Sequence, residues 1–291
     1  MLLTNKFQIP ESFMNFADRD AYDSGDADLS VTSLIDSSRV RKLKNENEKL
    51  IEEDISQRIM SILGTAVHNI LEVGCPDGAT AEKRFFYETK SGKVITGQVD
   101  LIEENESGHT ISDYKVVRGT AVSMNPNGKP EWVNQLNCYA WLAGKHGFNV
   151  TKLQIVAVVR DWSNAAAMRS SDYPQSPVVC IPIKLNSAEE TESYIDKKIK
   201  DHFAEGLREC TPEERWKGSD IHAVYEYTKS GGLKSRAKRL FDSSFDAQAY
   251  MLDNNINGEV VLRESKPTRC EGDYCSVSKW CDQYQNEKGL F

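Results

Sequence analysis

Two short turns set the register in the middle of this 291-residue chain. Strand-like runs at 83–89, 94–102 and 109–117 are divided by Ser91-Gly92 and by Asn105-Glu106-Ser107-Gly108. β-Branched and aromatic runs bounded by such turn residues predict a meander of three antiparallel strands. A second turn centred near Glu106-Ser107 makes residues whose numbers sum to about 213 face each other. Asp100 and Asp113 satisfy that sum, so their carboxylates approach to within ~5 Å at Cβ where they share a face. Lys115, two residues beyond Asp113, projects from the same face because side chains alternate along a strand.

On either side the spacing turns helical. Upstream, apolar residues recur at Ile55, Ile59, Ile62, Ala66 and Ile70, with Leu63, Val67 and Leu71 in a second row. Spacings of three and four predict a helix, and two apolar rows predict that it is mostly buried. Gly74 and Pro76 end it. Gly64, His68 and Glu72, four apart, share one side of it. Downstream, a Gly/Pro/Asn loop at 124–130 leads into a helix with Pro130 near its first position, ending about Gly144. Trp132, Gln135, Leu136, Tyr139 and Leu142 line its broad face. Residues 152–160 and 178–185 read as buried strands, and Ser187-x-x-Glu190 is a capping box opening a helix to about Arg208. The first ~30 residues are polar, with Asp18, Asp20, Asp23, Asp26 and Asp28 crowded together, and read as an arm or loose lid with at most one short helix. Residues 31–43 read as a helix and 44–54 as a charged link or exposed helical turn. Helix, three strands, helix, strand predicts an α/β sandwich around a small mixed sheet.

Composition removes several alternatives. The chain is 39% hydrophobic and 27% charged, a globular mixture rather than a disordered, collagen-like or coiled-coil one. No apolar run approaches the ~18 residues of a membrane span, and the start lacks the pattern of a secretory signal. A formal charge of −8 argues against a protein held to nucleic acid by bulk positive charge, and leaves one that uses a metal and a local basic groove. Seven cysteines without a secretory signal point to a reducing interior, with free thiols or metal ligands.

Two aspartates and a lysine at mid-strand positions are costly in a buried sheet unless something pairs with them. A divalent cation is such a partner. Asp100 and Asp113 offer hard oxygen ligands suited to Mg²⁺ or Mn²⁺. His68, on the neighbouring helix, completes the set and tilts preference towards Mn²⁺. Such an ion neutralises charge on a phosphodiester and lowers the pKa of a bound water, while Lys115 orients that water and balances the charge that develops. Glu72 and Glu82 are weaker candidates for accessory roles, and Glu88 is weaker still. Taken singly, each residue has a plainer role: a helical His or Tyr usually packs in a core, Asp100 ends a strand, and Lys115 lies on a solvated face. No GxSxG, HExxH, GxxxxGK(S/T) or GxGxxG is present, which removes the corresponding hydrolase, zinc protease, P-loop and Rossmann readings.

GTAVH (64–68), GQVD (97–100), DYK (113–115) and QLNCY (135–139) occur in that order. They resemble the GxxxH, GxxD, (D/E)xK and QxxxY motifs of the RecB-like branch of the PD-(D/E)XK nucleases, over residues 64–160. The resemblance implies a restriction-endonuclease-like α/β/α core with a mixed central sheet. It also implies a Mg²⁺- or Mn²⁺-dependent deoxyribonuclease, with His68, Asp100 and Asp113 as metal ligands and Lys115 beside them. Gln135 and Tyr139 would then hold Lys115 and the DNA backbone. The branch is rich in exonucleases, so action on single strands or duplex ends is expected, with an endonuclease as the alternative. A non-catalytic nucleic-acid-binding module on the same fold is a rival, opposed by the intact Asp100, Asp113 and Lys115. A hydrolase of another phosphate ester would not need QxxxY. A stand-alone nuclease of this size resembles phage, CRISPR-associated and recombination nucleases. The expected setting is the cytoplasm of a bacterial or phage-infected cell, away from membranes, with a recombinase or single-strand-binding protein as candidate partner.

Cys270-x4-Cys275-x5-Cys281 lies in the last 22 residues and suggests a metal site. Several RecB-like exonucleases staple the domain with a 4Fe–4S cluster, three C-terminal cysteines joining one upstream of the GxxxH helix. Here no cysteine precedes Gly64 and the first tail spacing is four residues. Cys210 is the first choice for a fourth ligand and Cys75 the second, while Cys138 and Cys180 read as core; four thiolates suit either Fe–S or Zn²⁺. Residues 229–239 hold five basic residues and no acid, making Lys234, Arg236, Lys238 and Arg239 candidate DNA-backbone contacts, against a plain solvated loop and helix start. Trp132, Trp162, Tyr173 and Trp216 are candidates for base stacking. The expected organisation is an arm and helical lead-in at 1–50, a nuclease core at 51–208 and a cysteine-containing extension at 209–291.

Overall fold

The meander closes in the register its turns require. In a computed structural model, which describes residues 2–19 and 25–289, pairs from Leu101–Ser112 to Asn105–Gly108 all sum to 213. Gly108 has φ 150°, and a Cβ there would lie 2.3 Å from the Asn149 carbonyl oxygen, so only glycine fits this turn. The chain divides into two units, Met1–Arg208 and Glu209–Phe291.

The first unit contains β1 (Leu2–Thr4), α1 (Glu11–Arg19), β2 (Leu29–Ser30), α2 (Val31–Ile35), α3 (Ser38–Asn47), β3 (Glu52–Asp54) and α4 (Ile55–Val73). It continues with β4 (Thr80–Glu88), β5 (Val94–Asn105), β6 (Gly108–Val117), α5 (Gly119–Ser123), α6 (Pro130–Lys145), β7 (Val150–Val159), α7 (Asn164–Ala167), β8 (Val178–Ile183) and α8 (Ala188–Phe203). The main sheet runs β2-β5-β6-β7-β8, with β4 on the other edge of β5. β2–β5 and β6–β7 are parallel and the remaining pairs antiparallel, so the sheet is mixed, as in the restriction-endonuclease-like fold. Gly97 faces α6, whose Tyr139 and Leu142 a Cβ at that position would meet at 2.9 Å. Asp100, three residues on, points to the opposite face, where His68 of α4 approaches it. The sheet thus lies between α4 and α6. Ile95, Ile111, Leu136, Leu142, Ile155 and Ile195 form the fully buried centre.

Several expectations change. The apolar rows of α4 are not mostly buried: only Ile55 is, while Met60, Leu63, Ile70 and Val73 are exposed. Periodicity gives the direction of an apolar face but not whether another layer covers it. The N-terminal arm is not loose where it is described. β1 pairs with β3, and the Asp28 carboxylate takes Lys93 Nζ at 2.9 Å and the Val94 amide at 2.8 Å; Asp20 and Asp23 lie outside the described residues. The charged link at 44–54 carries the end of α3 and β3. α8 ends at Phe203 rather than near Arg208. Cys180 is exposed on β8, not core, whereas Cys138 is fully buried. No helix among the described residues is long and apolar enough to cross a membrane.

The second unit holds β9 (Ile221–Glu226), β10 (Arg239–Phe241), α9 (Ser244–Asp253), β11 (Gly258–Arg263), α10 (Thr268–Glu271) and α11 (Asp282–Glu287). Its antiparallel sheet runs β10-β9-β11 with α9 against it. The fold yields a first test. Gly97→Ala forces the Tyr139 ring aside and should destabilise the first unit by about 1–3 kcal/mol, read from urea unfolding.

Candidate active site

The site forms where β5 changes partners. β4 follows one edge of β5 from Val94 to Ile102. On the other edge β2 takes Ile95 and Thr96, and β6 takes Leu101 to Asn105. The GQVD segment spans the gap between them. The β5–β6 ladder stops one pair short of Asp100–Asp113, and the Asp100 carboxylate instead accepts the Tyr114 amide at 2.7 Å. β4 breaks at the same level. Ala81 pairs with Leu101 and Lys83 with Val99, while Glu82, opposite Asp100, is skipped with φ 48°. A left-handed non-glycine residue costs about 1–3 kcal/mol and concentrates at functional sites.

These breaks bring three side chains together. One ligand atom each from His68, Glu82 and Asp100 lie within 4.8 Å of one another, the one such group among the described residues. His68 Nδ1 is 3.5 Å from Asp100 Oδ1 and 3.7 Å from Glu82 Oε1. His68 Nε2 lies 3.1 Å from the Tyr114 carbonyl oxygen. A carbonyl only accepts, so Nε2 carries the proton and Nδ1 presents its lone pair to the site once the ring is neutral. Gln98 donates to Glu82 at 2.6 Å, and Arg84 donates to Gln98 at 2.7 Å. Asp100 first and then Glu82 raise His68 to about 10, so at neutral pH the metal-free site holds an imidazolium.

Asp113 and Lys115 lie beside this group on β6, opposite Ile155 and Ala157 of β7. Lys115 Nζ is 2.5 Å from Asp113 Oδ2, yet that buried oxygen accepts no hydrogen bond; the contact is an ion pair without hydrogen-bond alignment. Burial raises the Asp113 carboxyl above the usual range; Lys115 opposes that rise and the Asp100 charge adds to it. An orphaned buried carboxylate oxygen, two further carboxylates and an imidazole nitrogen fit a divalent cation of the Mg²⁺ or Mn²⁺ kind. The structure therefore gathers His68 and Asp100 with Glu82, and places Asp113 next to them in the hands of Lys115.

Gln135 Nε2 donates to the Tyr139 hydroxyl at 2.9 Å, and the Tyr139 ring presses on Gly97, so the QxxxY and GxxD motifs meet through packing. Glu72 and Glu88 are exposed, on the last turn of α4 and at the end of β4. Trp132 is buried, Trp162 and Tyr173 are half-buried and Trp216 is exposed. In the second unit Lys234 and Lys238 both pair with Glu226, and Arg239 stacks over Phe241 and Tyr250; Arg236 is exposed. Cys270, Cys275 and Cys281 are buried and Cys210 is half-buried. Gln283 brackets Cys210, accepting its amide at 2.8 Å and donating to its carbonyl at 3.1 Å.

The sequence pattern of the PD-(D/E)XK nuclease superfamily matches residues 76–282, so the chain belongs to that superfamily. The match takes in Asp100, Asp113, Lys115, Gln135, Tyr139 and the four cysteines of the second unit, and begins after His68. No curated protein matches the chain. A solved structure described as the crystal structure of SSO0001 is 20% identical, over 65% of this chain and 82% of its own, with a TM-score of 0.43. Membership implies a nucleic-acid substrate and a divalent metal.

Glu82 is the residue that sequence reasoning undervalued, and the signal was within reach. The first hairpin pairs Thr89 with Lys93, and the same register sets Glu82 against Asp100. The imidazolium has a pH consequence. Its contribution to stability is complete below the ordinary value of 6.5 and fades as pH rises from 6.5 to about 10. A metal at Nδ1 must displace that proton. Apparent Mn²⁺ affinity should rise about tenfold per pH unit through this window, with one proton released per ion. Calorimetry in buffers of differing ionisation enthalpy measures both, and His68→Ala should flatten the dependence.

Proposed function

We propose that the chain is a metal-dependent deoxyribonuclease of the RecB-like branch, acting as an exonuclease on single strands or duplex ends. The observation that carries this reading is the convergence of His68, Glu82 and Asp100 beside the Asp113–Lys115 pair. Histidine plus carboxylates favours Mn²⁺ over Mg²⁺. A divalent cation held there supplies charge neutralisation at the phosphate and a lowered pKa for water.

The protein's own groups do the rest. The Tyr114 backbone holds Asp100 through its amide and His68 through its carbonyl. Gln98 and Arg84 hold Glu82. Lys115, its side chain 24% exposed and tethered by Asp113, presents N–H donors to an attacking water and to charge developing on the phosphoryl oxygens. Lys115→Ala should lower cleavage at least ~10²-fold while leaving DNA affinity nearly unchanged. The assay is release of mononucleotides from end-labelled linear DNA, beside circular single strands, in Mn²⁺, Mg²⁺ or EDTA. Cutting of circles would replace the exonuclease by an endonuclease; binding without cleavage in either metal would reduce the protein to a binding module.

The second unit is proposed to hold a 4Fe–4S cluster on Cys210, Cys270, Cys275 and Cys281. Cys270, Cys275 and Cys281 are buried and Cys210 is half-buried, the setting of thiolates that hold a metal group. Arg269 and Arg215 supply positive charge beside Cys275 and Cys270. Anaerobically purified protein should carry iron and sulfide, and Cys275→Ser should lose both and unfold the second unit first. Stoichiometric zinc without iron would refute the cluster.

A further inference from the structure

α4 carries a glycine that its fold does not require. Gly64 sits mid-helix, where glycine is about 1 kcal/mol less favourable than alanine, and a Cβ built there meets nothing within 4 Å. Gly97 and Gly108, by contrast, are pressed by neighbours at 2.9 and 2.3 Å. Gly64 lies one turn before His68 on the same side of α4. One turn earlier still is Met60, 47% exposed, with the Arg160 guanidinium laid against its sulfur. Arg160 follows β7, where its amide bonds the Val117 carbonyl. It is exposed and, among the described residues, pairs with no carboxylate. An arginine anchored but uncompensated presents its N–H fork to a phosphate.

We infer that the substrate's sugar–phosphate backbone runs along α4, from the His68–Glu82–Asp100 group, across Gly64, to a phosphate site at Arg160. This path rests on the nuclease reading proposed above. His68 and Met60 are eight residues apart, about 12 Å along the axis, which spans roughly two to four phosphates of a strand. The absent side chain at Gly64 lets the backbone approach the helix midway. Leu63, 38% exposed, offers an apolar shoulder to sugars beside that gap.

The test uses the full chain and a 5′-fluorescein oligothymidylate in Ca²⁺, followed by fluorescence anisotropy, with electrophoresis afterwards to verify that the oligonucleotide is intact. Gly64→Ala should melt about 2–4 °C higher than wild type yet bind at least about tenfold more weakly. Arg160→Gln should melt as wild type, bind more weakly, and reduce the slope of log K against log salt by about 0.7. Wild-type affinity in either variant overturns the path, as does a Gly64→Ala protein that loses stability together with binding. A wild-type chain that binds no oligonucleotide overturns both this path and the nuclease reading beneath it. Binding by wild type with equal binding by the variants overturns the path alone.

Discussion

The backbone of one residue, Tyr114, ties the site together. A buried amide and carbonyl must each find a partner, and here the sheet supplies neither: the β5–β6 ladder has already ended at Leu101–Ser112. The amide takes the Asp100 carboxylate and the carbonyl takes His68 Nε2. The two peptide groups flanking Tyr114 thereby fix a residue of β5 and a residue of α4 against β6. Tyr114 sits between Asp113 and Lys115, so the strand that clamps the ligands also carries the cation and the buried acid. Extending the ladder by two more pairs, to Val99–Tyr114, would satisfy the amide with a backbone carbonyl and release Asp100. The interruption of the sheet, rather than the sheet itself, makes the site.

Electrostatics make the metal-free site self-compensating. Three carboxylates, Glu82, Asp100 and Asp113, face two cations, the His68 imidazolium and Lys115. Asp113 is the strained member, since burial opposes its charge and Lys115 only partly offsets that. An incoming divalent cation meets two carboxylates already held in place and one proton to expel from His68. Recognition is therefore coupled to proton release, and the coupling resides in the side chains rather than in any loop motion.

The parts of this arrangement that follow from turn geometry were legible in the sequence, because a hairpin's register is set locally. Asp100, Asp113 and Lys115 come from one turn, and the Glu82–Asp100 pairing follows equally from the other. Glu82 was ranked too low because no motif marks it, although the unbroken register of the first hairpin sets it opposite Asp100. Cys180 shows the converse: it alternates with buried Ile181 and Ile183 on β8, so period two places it outside although the run looks uniformly apolar. α4 was misjudged because periodicity shows that an apolar face exists but not how much of it the neighbouring α1 and β6 bury. The sheet of the second unit left little trace, since β10 is three residues long and a twelve-residue gap separates it from β9.

Several local departures from good folding practice lie at or near the site, on α4, β4 and β6. Glu82 holds a left-handed backbone, Gly64 weakens a helix with nothing beside it, Asp113 keeps a buried oxygen without a hydrogen bond, and Met60 and Leu63 stay in water. Such features also occur away from the site, as left-handed Trp216, Asn255 and Asp273 and exposed Met124, Met168 and Phe245, beside well-formed ends such as the capping boxes of Asp54 and Ser187. Near the site these features fit the composite ligand proposed above: a cation would satisfy the carboxylates of Asp113 and Glu82, and a close polymer backbone would fill the space at Gly64.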